Sequence, residues 1–270
     1  MSRRKLITIV TAVFIVFVCG CHQNTYHQLG REALKDSIMA YQDRARMGDS
    51  TAYLRMAELW LQDEDVERGT LWALFMASQA EEWGAVESWV KWGLSMPKYL
   101  VVHHVTEVLQ DVAYHHFDDA RAKGKRLNNT GFNPDWIETV IAMDCGEKGR
   151  AVSLCKRMID DGSLMGRVLY CLLTNDKDSM MAVADELPMF YISLAEKARC
   201  EEQGNDPDEL SENVPKYYLK ADEHACLNRD GARTLRAYYE HLMYTDSLAV
   251  SSEEYARMKR LSESDRNGYL

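Results

Sequence analysis

The chain has 270 residues, with 32 basic and 42 acidic side chains and a formal net charge of −10. That balance argues against a nucleic-acid partner, because no basic excess exists to replace phosphate counterions. The length allows one elongated repeat domain or two small globular ones.

The first elements are a leader. Ser2-Arg3-Arg4-Lys5 is a basic start, Leu6 to Val18 an apolar stretch of 13 residues, and Gly20-Cys21 a small residue followed by a thiol. This is the layout of an export signal, and the stretch is too short for a stable transmembrane helix. Val18-Cys19-Gly20-Cys21 resembles the bacterial lipobox, whose pattern is Leu, then Ala or Ser, then Gly or Ala, then a lipidated cysteine that becomes the mature N-terminus. The departures are Val18 for Leu and Cys19 at the small-residue position. The resemblance implies a signal peptide over 1–20, lipidation at Cys21 and attachment to a membrane of the bacterial envelope, the outer membrane on its periplasmic face. A cleaved soluble export signal is the alternative. Without the leader the chain keeps 29 basic and 42 acidic residues, a net −13. Adhesion to anionic lipid is then disfavoured, and attachment should rest on the acyl chains.

A short tether over 21–28 precedes a helix predicted from Tyr26 to Arg46, which Gly48 terminates. Asp49-Ser50 restarts a helix through Ala52, Met56, Ala57 and Trp60. The acidic break Asp63-Glu64-Asp65 leads into a third, with Leu71, Trp72, Phe75 and Ala80 at helical spacing, ended by Gly84. Gly48, Gly84, Gly124 and Gly162 follow one another at intervals of 36, 40 and 38 residues. Small side chains sit at fixed offsets from them: Ala52 and Ser88, Ala57 and Gly93, Ala73, Ala113 and Ala151. Helices of a hairpin approach closely where a side chain is missing, and the glycine takes the left-handed cap.

Ala52-Tyr53-Leu54-Arg55-Met56-Ala57-Glu58-Leu59-Trp60, followed by Ala73 and Ala80-Glu81-Glu82-Trp83-Gly84, resembles a Sel1-like repeat, a relative of the tetratricopeptide repeat. Ser88, Trp92 and Gly93 begin a further copy that Pro97 cuts short. Leu194-Ala195 and Tyr217 to Ala221 echo the pattern around a polar loop, Glu201 to Asn213. The family's Gly-x-Gly-Val turn is missing between Gln62 and Gly69. The resemblance implies an all-α, right-handed solenoid of stacked antiparallel helical hairpins. The turn-forming run from Asn128 to Pro134 divides an N-terminal array, 29–128, from a C-terminal one, 135–262. Ser251 to Glu254 has capping-box spacing and opens a last helix with Tyr255, Met258 and Leu261 on its apolar face. The tail 263–270 should fray.

Five cysteines follow Cys21, an odd number, so at least one thiol is free or paired with another chain, while one or two bridges would suit an oxidising envelope. Cys155 lies on an apolar stripe and reads as a small buried hydrophobe. His103-His104 and His115-His116 could share a helix face, but about three turns apart they cannot share a metal, and no metal site is assigned. The carboxylates, Asp63-Glu64-Asp65 among them, read as solvated. No nucleophile elbow, phosphate loop or dinucleotide fingerprint occurs, so no catalytic residue or cofactor is assigned. The expected function, implied by the Sel1-like resemblance, is a non-enzymatic adaptor binding an envelope protein or peptide, with Tyr53, Arg55 and Glu58 exposed on the working face. A glycan-binding protein using Trp83 and Trp89 is the second reading, with Trp60 and Trp72 in the core. A hydrolase of envelope polymer is the third.

Overall fold

The computed structural model describes residues 31–98, 100–127, 130, 133, 135–202, 213–244 and 251–263. The leader, Cys21, the tether, most of the run from Asn128 to Pro134 and residues 264–270 lie outside them. Among the described residues the chain forms fourteen α-helices, one 3-10 turn and no strand. The N-terminal helices are α1 (Arg31–Arg46), α2 (Ser50–Trp60), α3 (Val66–Glu82), α4 (Trp89–Ser95), α5 (Val101–Ala113) and α6 (Phe117–Gly124). Beyond the 3-10 turn Lys125–Leu127 come α7 (Asp135–Asp144), α8 (Lys148–Asp160), α9 (Leu164–Thr174) and α10 (Lys177–Ala184). The last four are α11 (Phe190–Glu202), α12 (Asn213–Glu223), α13 (Arg229–Tyr244) and α14 (Ser252–Glu263).

Local chemistry sets the helix ends. Asp49 caps α2 by accepting from Thr51 N at 3.0 Å, Asp65 caps α3 by accepting from Arg68 N at 3.1 Å, and Ser251 Oγ accepts from Glu254 N at 3.1 Å. Each satisfies a donor that the first turn leaves without a partner. Three of the four periodic glycines, Gly48, Gly84 and Gly162, have positive φ of 93°, 84° and 83°. Gly124 differs: it closes α6 in helical conformation, and a Cβ there would collide with Ile137. Its smallness serves contact with α7 rather than a turn.

Consecutive helices pack in series, and α9 also packs on α3. One hydrophobic cluster runs from Leu34 to Leu261, and Ala142, Ala151 and Leu154 form a small satellite. The cluster crosses the expected divide at 128–135. Glu67 on α3 accepts from Ser163 Oγ at 2.6 Å and from Met165 N at 2.9 Å, so a carboxylate of the first half caps a helix of the second. The first described helix also meets the last ones. Arg257 on α14 donates to the Arg46 carbonyl at 2.9 Å, and Gln42 donates to the Glu223 carbonyl at 2.7 Å.

The last helix follows expectation in Met258 and Leu261, which are buried, but it extends through Glu263, which accepts from Arg236 at 3.0 Å. All five cysteines among the described residues are free thiols, with Cys145 and Cys200 exposed and Cys155, Cys171 and Cys226 buried. No described helix is long and apolar enough to cross a membrane.

Candidate ligand groove

Because the C-terminal half returns to the N-terminal helices, it supplies the second bank of a groove. Residues of α1, α2 and α3 form one side, and the α10–α11 turn with the end of α12 forms the other, around a cavity of about 460 Å³. The floor is apolar: Leu34, Ile38 and Met39 from α1, Met56 and Trp60 from α2, Trp72 and Met76 from α3. The Trp60 and Trp72 indoles stack with centroids 5.0 Å apart and planes within 7°. This pair is worth about 0.5–1.5 kcal/mol beyond its buried area. Met39 is 54% exposed and stands at the lip.

Polar groups line the rim. Asp63 receives Arg68 in a two-point clamp, Nε to Oδ2 at 2.8 Å and Nη2 to Oδ1 at 2.7 Å. Asp63 is only 4% exposed, so the expectation of a solvated carboxylate is corrected. The acidic break is a tight turn in which Asp65 caps α3 while Asp63 folds under it to reach Arg68. Gly69 makes room, since a Cβ there would strike the Trp60 carbonyl. On the opposite bank Glu186 pairs with Arg167 at 2.7 Å, Glu223 with Lys220 at 2.8 Å, and Asp185 accepts from the Tyr191 hydroxyl at 2.6 Å. Burial pushes the His224 imidazole below its usual pKa, against the upward pull of Glu223 and Asp185.

The sequence-predicted site residues stand elsewhere. Arg55 and Glu58 are on the outer side of α2, joined to each other at 2.7 Å, and neither lines the cavity. Tyr53 was expected beside them on the surface; it is 2% exposed. The reason is tertiary: Asp222, Cys226 and Arg257 of the returning chain stand near it, together with Trp83 at the end of α3. Burial and the nearby Cys226 and Asp222 drive the Tyr53 phenol well above its ordinary pKa.

Trp83 and Trp89, expected to be exposed beside Gly84, are also corrected, at 8% and 6% exposure. The Arg229 guanidinium from α13 lies over the Trp83 ring at 5.4 Å, and Trp83 Nε1 approaches Tyr53 without the geometry of a full hydrogen bond. Tyr53 and Trp83, chosen for opposite readings, are therefore neighbours in one interior. Trp72, read as core, is buried at 8% exposure and Trp60 is half-buried against the same core, and both also border the groove. A buried tryptophan and a groove-lining one have the same helical spacing, so only the position of α10 to α12 distinguishes them.

The histidine pairs do not share a helix face. His103 is buried in α5, His104 contacts Glu107 at 3.1 Å, and α5 ends at Ala113, leaving His115 in a left-handed turn against Asp144 at 2.7 Å. Among the described residues no group of three or more His, Cys, Asp or Glu is arranged to hold a metal ion.

No protein-family model matches the sequence, and no match was found among curated proteins or solved structures.

Proposed function

We propose that this protein is a lipid-anchored scaffold of the bacterial envelope that binds a protein or peptide segment in the groove between α1–α3 and the α10–α12 region. The anchor is Cys21, after removal of residues 1–20, and the attachment is to the periplasmic face of the outer membrane. The architecture is a right-handed solenoid of antiparallel hairpins of the Sel1-like type. Serial packing of neighbouring helices and the left-handed glycines at Gly48, Gly84 and Gly162 support it.

The observation that carries the binding reading is the apolar floor. Three methionines and two stacked indoles border one open cavity. Methionine is flexible and polarizable and recurs at surfaces that accept varied apolar side chains. Sugar rings want an open aromatic face and converging hydrogen bonds, whereas Trp60 and Trp72 each cover a face of the other. The groove carboxylates Asp63, Glu186 and Glu223 are already held by cations, which suits a binding surface better than acid–base chemistry.

A photo-cross-linking side chain placed at Met39, at the groove lip, tests the reading in cells. A discrete adduct with one protein is expected from Met39 and not from Tyr114, which is 66% exposed and lies outside the cavity lining. Equal adducts from both positions, or none from Met39, would overturn it.

A further inference from the structure

We infer that the groove selects a basic, apolar-anchored segment: a stretch of polypeptide in which one long unbranched or aromatic side chain enters the cavity and flanking lysines or arginines face the α10–α12 bank. The inference rests on the peptide-binding reading and adds the partner's chemistry to it.

Charge is what narrows the partner. Four carboxylates border the cavity, Asp63, Asp185, Glu186 and Glu223, against two cations, Lys35 and Arg68. Arg68 is held by Asp63. Glu186 and Glu223 have their own cations, Arg167 and Lys220, just outside. Among the described residues Asp185 makes no close ion pair: its hydrogen-bond partner is the neutral Tyr191 hydroxyl, Lys220 acts on it only at longer range, and the residue is exposed at the mouth. His224, with its pKa depressed by burial, adds no positive charge at neutral pH. The surrounding chain is strongly acidic, so the field at the mouth near Asp185 attracts cations. Lys35 stands on the other bank, on α1, and gives the groove polarity: a bound segment places its basic residues toward Asp185 and away from Lys35.

The apolar floor sets the anchor. Met56 and Met76 are buried and Met39 is exposed, so the cavity is deep at one end and open at the other. A single methionine or phenylalanine side chain fits such a shape, and its burial contributes in proportion to the apolar area removed from water. A second copy of this acidic chain does not match the mouth in charge.

Purified full-length protein is titrated with three fluorescein-labelled 12-residue peptides, read by fluorescence anisotropy at low and high salt. One carries a central Met between Lys and Arg flanks, one the same Met between Glu and Asp flanks, and one a Ser in place of Met between the basic flanks. The first should bind, the second should bind at least about fivefold more weakly at low salt, and the third should lose binding. Asp185→Asn combined with Glu223→Gln should remove most of the preference for basic flanks and flatten the salt dependence, with helicity and melting temperature retained. Asp185→Asn still accepts from Tyr191. Lys35→Glu, on an exposed position of α1, should strengthen binding of the first peptide. If basic and acidic flanks bind alike, and Trp60→Ala abolishes both, the charge selection is wrong while the peptide groove stands. If no peptide binds, both fail. Self-association of the protein that is abolished by Trp60→Ala would make a second copy the occupant and overturn the inference.

Discussion

Arg257 and Asp222, 35 residues apart, face each other in a two-point ion pair, Nη1 to Oδ1 at 2.9 Å and Nη2 to Oδ2 at 2.6 Å, with both side chains almost fully buried. Arg46 adds a bond to the same carboxylate at 2.9 Å, and Glu254 accepts from Arg257. Asp222, on α12, therefore joins α1 to α14, the first and the last helix of the described chain. Removing Asp222 strips the buried Arg257 of its two-point partner and leaves only the partly exposed Glu254 as its counter-ion, in a medium of low dielectric. Asp222→Ala should cost about 3–5 kcal/mol in urea unfolding, whereas Arg257→Met with Asp222→Leu should lie much closer to the natural protein. Equal stability of the single and double variants would mean that the pair does not hold these helices together.

Close approach of α2 and α3 gives a second prediction. Ala57 is fully buried on α2, and Gly69 faces the Trp60 carbonyl. Ala57→Leu and Gly69→Ala should each lower stability by about 1–3 kcal/mol through overpacking. A crystal structure of either variant with α2 and α3 unmoved and stability unchanged would contradict this packing.

Glu67 should give the protein an acid-side signature. Desolvation raises its pKa above the ordinary 4.5, although Ser163 and Met165 pull it down. The folded state then keeps this proton at pH values where the unfolded chain has released it. Stability from this group is greatest below the ordinary value and declines as pH rises toward the raised one, the reverse of Glu138, which Arg121 holds below its ordinary value. Glu67→Gln should remove that decline from the pH profile of unfolding while leaving the cap on α9 in place. Glu67→Ala should instead cost about 1–3 kcal/mol at neutral pH, because Met165 N and Ser163 lose their acceptor.

Thiol reactivity should divide by burial. Desolvation pushes Cys155 and Cys171 each up to about 12 and Cys226 higher still. At pH 8 iodoacetamide should label Cys145 and Cys200 in the native protein, and the other three only in denaturant, as read by peptide mapping. Labelling of native Cys226 at the rate of Cys145 would be incompatible with its burial.

The anchor has its own test. Cys21→Ser should abolish incorporation of labelled palmitate and shift the protein out of the membrane fraction. Absence of label from the natural sequence would rule out the lipid anchor.

What the sequence determined by itself is local. The helices from Ser50 to Glu82, their caps at Asp49 and Asp65, the turns at Gly48, Gly84 and Gly162, and the cap at Ser251 are all legible, because each depends on partners within a few residues. Burial of Ala52, Ala57, Ala73 and Cys155 follows from the same periodicity. The tertiary structure decided which polar and aromatic side chains face solvent. Tyr53 and Trp83 have a partner in Arg229 or Asp222, roughly 150 residues onward, and Arg257 is buried only because Asp222 and Arg46 arrive beside it. The groove likewise needs Asp185 and Glu223 opposite Trp60. A helix face that reads as outer within one hairpin becomes interior when a later helix packs on it, and periodicity carries no record of a partner so distant in the chain.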